Sequence, residues 1–293
     1  MDQGPTQPIF PQIIISILIT VGVYLTYWGY EQGSDLKNGY ASARVAVLPM
    51  TSSSSNDQKI YIQDCNNKKA KNYTPLNVSD NQLTGIEFSY CTFIYISPDT
   101  DDGTAGFKSI FYKGYVDGPV PLLGPGVFVS SDNSANASPT LRIMMNTYEN
   151  WFNPVDVAQI PFKKWFHLAI VVRKNSMEVY INGNMSNKMP FRGTLPYQNY
   201  QPLVLFPSSK ITSQDYDNTN GTTSTKRGVP PGESFIVNGK FAGYISNLYY
   251  FSYAMTYSEI QAMMNMGPST VFDTNGMDLP PYLIDSWWTE QRG

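Results

Sequence analysis

An all-β antiparallel sandwich carried behind one membrane-spanning helix is the architecture this sequence predicts, and three observations predict it. From Ile86 onward, short apolar and aromatic runs alternate with Gly, Pro, Asn and Asp, the pattern of strands joined by turns. Aromatic residues make up 14% of the 293 residues, while charged residues reach only 15% against a usual value of about 25%. Aromatic side chains suit the pleated, half-buried surface of a sheet. Near the N-terminus, no charged residue lies between Asp2 and Glu31.

The elements follow in chain order. Residues 1–8 form a short tail, and residues 9–30 a membrane-spanning helix, apolar except at Gln12, Ser16, Thr20 and Thr26. Twenty-two residues of helix rise about 33 Å, enough for a hydrocarbon core of about 30 Å. Tyr24, Tyr27, Trp28 and Tyr30 gather at one end as interfacial aromatics do, and Pro8 and Pro11 mark the other. A cleaved signal peptide competes with this reading, but there is no basic n-region and Ala41-Ser42-Ala43 lies too far beyond the apolar run. A buried strand of that length would be exceptional. The flanking charges do not set an orientation, because Lys and Arg are absent on one side and mixed with acids on the other.

Residues 31–84 read as a stalk leading into a first strand at Ile60-Tyr61-Ile62, since TSSSSND and its surroundings are polar and turn-rich. Within it, Lys68, Lys69 and Lys71 form the one basic cluster, read as a solvated loop. A net charge of −3 supplies no cationic field for a polyanion, so nucleic acid is not an expected partner.

The domain proper spans 85–268. Its strands are expected at Glu87–Ile96, Phe107–Gly114, Gly126–Ser130, Leu141–Asn146, Trp165–Val172 and Met177–Gly183, with a last one inside Gly239–Tyr253. WFHLAIVVR is apolar on both faces and should be a central strand covered on both sides. Asn182-Gly183 predicts a two-residue hairpin, since both turn positions want positive φ. Residues 208–234 are polar and aperiodic, a long surface loop. Thr256 and Glu259 form a capping box, Ile260, Met263 and Met264 an apolar stripe, and Gly267-Pro268 a stop, which together predict one helix. The tail, 269–293, carries Tyr282, Leu283, Ile284, Trp287 and Trp288 and should dock; Trp287, Trp288 and Tyr282 are the candidate partner contacts.

Three of these segments resemble a known family. KKWFHLAIVV, then MEVYINGN, then GKFAGYISNLYYFSYAMTYSEIQAM, in that order, are similar to the jelly roll of laminin-G-like and concanavalin A-like lectins and glucanases. There a W-x-H strand precedes an h-Y-I-N-G hairpin, and a closing glycine-led strand runs into a short helix. The resemblance covers about Ile86 to Gly267 and implies fold rather than function. More narrowly, the apolar anchor, PGVFVSSDNS, GPS after the helix and the PPYL…WW tail resemble membrane-associated laminin-G-like proteins of large icosahedral DNA viruses such as those infecting algae. That resemblance implies a minor capsid protein at an internal virion membrane beneath the shell, with a lipid bilayer and other capsid proteins as partners and glycans as further candidates.

Chemistry is sparse. The glucanase branch uses E-x-D-x-x-E for its acid and nucleophile, and no such triplet occurs, so no catalytic residue is assigned and no enzyme activity is expected. Asp99, Asp101 and Asp102 before Gly103 read as a hairpin turn, and lack the glutamate an EF-hand would need at Ile110. His167, the single histidine, reads as a hydrogen-bonded core residue. No cofactor is expected; calcium is implied by the family alone, without ligands. For a lectin, Trp151, Phe152 and Asn153, with Asn150, are one candidate glycan platform, and Tyr197, Asn199 and Tyr200 a second; ordinary packing is the competing account of each. Cys65 and Cys91 could pair in an oxidising compartment, or Cys91 could pack as a small hydrophobe. Five N-glycosylation sequons begin at Asn72, Asn77, Asn136, Asn184 and Asn220. The open functional readings are a membrane-anchored structural protein, a membrane-tethered lectin, and a glycosidase with an unrecognised site.

Overall fold

A computed structural model describes residues 14–27, 43–63, 68–77, 79, 86–117, 121–130, 139–213, 229 and 235–273. The chain divides into two compact units, Met1–Arg44 and Val45–Gly293. In the first, residues 14–27 form a helix, α1. Its ten large apolar and aromatic side chains are each between 49% and 67% exposed. Among the described residues no helix is long and apolar enough to cross a membrane. The rest of the expected 9–30 span lies outside them.

The second unit is a two-sheet sandwich. Its strands are β1 (Arg44–Ser53), β2 (Lys59–Tyr61), β3 (Phe88–Ile96), β4 (Phe107–Tyr115), β5 (Leu122–Ser130), β6 (Leu141–Met144), β7 (Pro154–Val157), β8 (Trp165–Arg173), β9 (Ser176–Ile181), β10 (Asn184–Pro190), β11 (Leu203–Leu205), β12 (Lys210–Ser213), β13 (Phe235–Lys240) and β14 (Gly243–Phe251). One sheet runs β1-β14-β3-β8-β9-β10 and the other β12-β13-β4-β5-β6-β7, with β11 beside β4 and β2 beside β11. The helix α2 (Tyr257–Asn265) follows β14. The all-β sandwich with one short C-terminal helix is thus as the sequence predicts.

Alternation places the core. Phe88, Tyr90, Ile94 and Ile96 of β3 and Phe166, Leu168, Ile170 and Val172 of β8 point between the sheets. The opposite residues, Cys91, Ala169 and Val171, meet Ile260 and Met263 of α2. On the far side, Leu123, Phe128, Met144, Phe235 and Val237 form a third apolar layer with Trp151 and Phe152. The central strands of both sheets are therefore buried on both faces, unlike the exposed edge strand β10, which is why so few charged residues are needed along them. As expected, β8 is central, flanked by β3 and β9.

Asn182 and Gly183 have φ of 48° and 75°, the hairpin the dipeptide predicts between β9 and β10. The Thr256–Glu259 capping box is present in both directions. Three expectations change. Residues 44–53, assigned to the stalk, form β1, whose Val47 and Leu48 enter the core. Pro98–Thr100 is a 3-10 turn in a link between β3 and β4, which lie in different sheets, so the Asp99–Asp102 segment is an arch and not a hairpin. In the polar stretch 208–234, residues 210–213 pair with β13 and Val229 is buried among apolar side chains; residues 214–228 and 230–234 lie outside the described residues.

Candidate functional site

The exposed aromatic surface with the most built geometry lies where the segment after β6 meets the segment before β11. Thr147 and Pro196 form an antiparallel bridge. Tyr148 N–H donates to Leu195 O at 3.1 Å, and Tyr197 N–H to Asn146 O at 2.9 Å. These bonds set the Tyr148 and Tyr197 rings edge to face, centroids 5.1 Å apart. Tyr148 is 64% exposed and Tyr200, on the same loop as Tyr197, 58%.

Buried polar groups hold this surface. Asn199 is buried; its Nδ2 donates to Lys113 O at 3.2 Å and its Oδ1 accepts from Gln201 N–H at 3.1 Å. Lys113, on β4, is fully buried and its Nζ donates to Asn199 O at 2.5 Å and Gln201 O at 2.9 Å. Desolvation pulls this amine down to about 7. Gln198 donates to Tyr250 Oη at 2.5 Å and accepts from Ser79 N–H at 3.1 Å. Residues 198 and 199 are thus anchors, leaving Tyr200 to face outward.

The first glycan candidates are placed otherwise. Trp151 and Phe152 are 6% and 4% exposed, folded over the eight-stranded sheet against Phe235 at ring distances of 6.5 and 6.3 Å. They cannot offer a ring to a sugar, because their faces are already spent on apolar packing. Asn153 Nδ2 donates to Met145 O at 3.0 Å and Asn150 O at 2.9 Å, tightening the turn. Of the second group, the structure brings Tyr197 to Tyr148 and exposes Tyr200, while Asn199 is internal. Sequence reasoning missed Tyr148, whose signal was an aromatic in the turn-rich NTYEN, and Lys113, a cation inside the apolar run FKSIFYKG.

His167 is buried as expected, with its ring 5.0 Å from that of Phe93. The expected ring hydrogen bond is not there: neither nitrogen has a partner among the described residues, and Asn182 instead bonds the His167 backbone. Burial lowers its imidazole to about 4.

The ion-paired acids are structural. Lys108, itself buried, pairs with Asp102 at 2.5 Å and holds its carboxyl far below the usual range. Glu178 lies between Arg173 and Lys188 at 3.3 and 2.8 Å. Asp156 pairs with Arg142, and Asp273 with Lys59. Among the described residues no group of three or more His, Cys, Asp or Glu is placed to hold a metal ion.

Lys68, Lys69 and Lys71 are exposed, as are the sequon residues Asn72, Asn77 and Asn184. Cys91 is buried under α2. Cys65, Asn136, Asn220, Tyr282, Trp287 and Trp288 lie outside the described residues.

The sequence model of the concanavalin A-like lectin/glucanases superfamily, in its laminin-G form, matches residues 70–222. No curated protein matches the chain. Among solved structures, the receptor-binding domain of botulinum neurotoxin D is 13% identical over 74% of this chain and 43% of that one, with a TM-score of 0.45. The corresponding domain of the C/D mosaic serotype is 13% identical over 74% and 41%, TM-score 0.44. A heptameric SAP-like pentraxin from Limulus polyphemus is 12% identical over 78% and 87%, TM-score 0.41. The chain spans about two fifths of the toxin domains it matches. Likenesses this distant carry nothing about what this chain binds.

Proposed function

The chain belongs to the concanavalin A-like lectin/glucanase superfamily, and from that premise we propose that it is a non-enzymatic binding protein held at a membrane by its N-terminal helix. The observation that carries this reading is α1. A helix that is apolar all round and exposed all round is unstable in water, and ten large side chains at 49–67% exposure call for a lipid or protein cover. The apolar sequence continues on both sides of residues 14–27, to the 22 residues of 9–30 that a bilayer needs. The virion setting, a minor capsid protein tying an internal membrane to its shell, rests on the resemblance of the anchor, the GPS segment and the aromatic tail to such proteins.

Flotation with liposomes tests the membrane reading. The full chain should rise with the lipid fraction, and a chain carrying Leu18→Asp and Val21→Asp should not; equal behaviour of the two would overturn it.

A second reading, glycan binding, is favoured by one specific observation, the exposed Tyr148 ring set against half-buried Tyr197, with exposed Tyr200 on the same loop as Tyr197. On a glycan array, binding lost in Tyr148→Ala and Tyr200→Ala would support a lectin; a folded protein that binds nothing, or binds equally well without these rings, would remove that reading.

A further inference from the structure

A buried cation lies beneath the tyrosine surface, and no anion accompanies it. Lys113 sits at a bulge in the pairing of β4 with β5, between Tyr112, which faces Gly126, and Gly114, which faces Leu123. The residue is 0% exposed. Among the described residues no carboxylate pairs with its amine. The titratable groups on the elements around this end of β4 are Tyr112 and Tyr115 of β4 itself, Asp117 just beyond it, Tyr197 and Tyr200 before β11, and Tyr148 and Glu149 after β6. Across the sandwich Tyr250 meets Gln198, and β5 and β11 carry no titratable side chain.

Every acceptor this amine reaches belongs to one short loop. Nζ donates to Asn199 O at 2.5 Å and to Gln201 O at 2.9 Å, with Asn199 Oδ1 farther off at 3.5 Å. A neutral amine, with two N–H donors, satisfies both close carbonyls. An ammonium brings a third N–H, for which only Asn199 Oδ1 remains, and that oxygen already accepts from Gln201 N–H. The charged form therefore combines a poorly met donor with an uncompensated buried charge, and burial pulls the amine from an ordinary 10.5 down to about 7. The same loop is tied to β4 by Asn199 Nδ2 donating to Lys113 O and by Gly114 N–H donating to Pro202 O. It also passes close over β5: a Cβ on Gly124 would lie 2.9 Å from Asn199 Nδ2 and 3.1 Å from Tyr197 O. The positions of Tyr197 and Tyr200 thus depend on contacts that converge on Lys113 and Gly124.

We propose that Lys113 is a proton-controlled latch on this surface. Uncharged, it holds residues 197–202 closed against β4 and β5, with Tyr197 set against Tyr148 and Tyr200 outward; on taking up a proton it leaves the loop's carbonyls for water, and the loop opens. What the latch governs rests on the glycan reading of the surface, while the latch itself does not. The direction follows from linkage. An open loop exposes the amine, which then binds a proton below about 10.5, whereas the closed loop refuses one until about 7. Closure is therefore favoured most above about pH 10.5, weakens by about tenfold per pH unit as pH falls towards 7, and changes little below about pH 6.5.

Chymotrypsin cleavage after Tyr197 and Tyr200 in the full chain reads the opening, because a protease needs a locally unfolded segment. Rates divided by those of an unstructured peptide of the same sequence should rise about 20-fold from pH 9 to pH 7.5 and level off below about pH 6.5, while cleavage after buried Tyr90 and Phe166 stays far slower. In Lys113→Met, which keeps an apolar stem and takes no proton, the ratio should not change with pH. A flat ratio in the natural chain, a rise that persists in the variant, or an equal rise at Tyr90 and Phe166 would overturn the latch. Should the variant not fold, the NMR shift of the Lys113 ε-carbon in the natural chain decides: titration near 7 supports the latch, and titration near 10.5 overturns it. Neither readout involves a sugar, so a failed glycan array leaves the latch standing, and a failed latch leaves the glycan reading to the array.

Discussion

His167 is the chain's single histidine, and its burial makes a pH dependence that can be worked out and read without interference from another imidazole. Desolvation lowers it to about 4 from an ordinary value near 6.5, so between those values the unfolded chain takes up a proton that the folded chain refuses. Its contribution to stability is complete above about pH 6.5 and is lost as pH falls towards 4. For that shift the loss is about 2 kcal/mol at pH 5 and about 3 kcal/mol at pH 4. Glu178 and Glu259 are held below their ordinary value and add acid sensitivity lower down, while Lys113, pulled down to about 7, adds a smaller loss between pH 7.5 and 6 that the natural chain and a His167 variant share, so the difference between those two chains isolates the histidine. Urea unfolding at pH 7.5 and pH 5 should show a drop in the natural chain that is larger by about 2 kcal/mol than in His167→Leu, which keeps an apolar group against Phe93. The same imidazole observed by NMR in the folded protein should titrate well below 6. A titration near 6.5, or an equal drop in the variant, would refute the reasoning.

Other perturbations separate packing from surface. Trp151→Ala should cost about 3–5 kcal/mol by opening a cavity against Phe152 and Phe235, whereas Tyr148→Ala should stay within about 0.5 kcal/mol; chemical denaturation distinguishes them. Gly114 sits at φ +155° with the place of a Cβ 1.6 Å from Leu122 O, so Gly114→Ala must move strand backbone and should cost several kcal/mol, seen as a lowered unfolding midpoint. Thr256→Ala removes the oxygen that caps α2 and should cost about 1 kcal/mol, with hydrogen exchange faster in the first turn of the helix than in β8.

The parts of this fold that could be read from sequence are those whose cause is local. WFHLAIVVR announces a strand covered on both faces because every position is apolar, and Asn182-Gly183 and Thr256–Glu259 carry their turn and cap chemistry within four residues. β1 was hidden because its second half, MTSS, looks solvated; its Thr51 is satisfied by Ser246 Oγ and Ser269 O, partners that no periodicity reveals. The candidate surface divides in the same way. Tyr200 and Trp151 look alike as aromatics in polar loops, and their opposite fates depend on distant partners: Phe235 draws Trp151 inward, while the bonds of Gln198 and Asn199 to Tyr250 and Lys113 hold their own side chains inside and leave Tyr200 outside. The Asp99–Asp102 segment is ambiguous in sequence because a turn of that composition serves a hairpin and an inter-sheet arch equally well.

Protease protection in reconstituted vesicles tests the membrane reading most directly. Proteinase K should leave a lipid-embedded peptide containing residues 14–27, whichever side the sandwich faces, after the exposed Lys68–Lys71 loop of accessible molecules has been cleaved. Digestion of residues 14–27 at the rate of that loop would contradict it and place the helix in a protein interface or on the membrane surface.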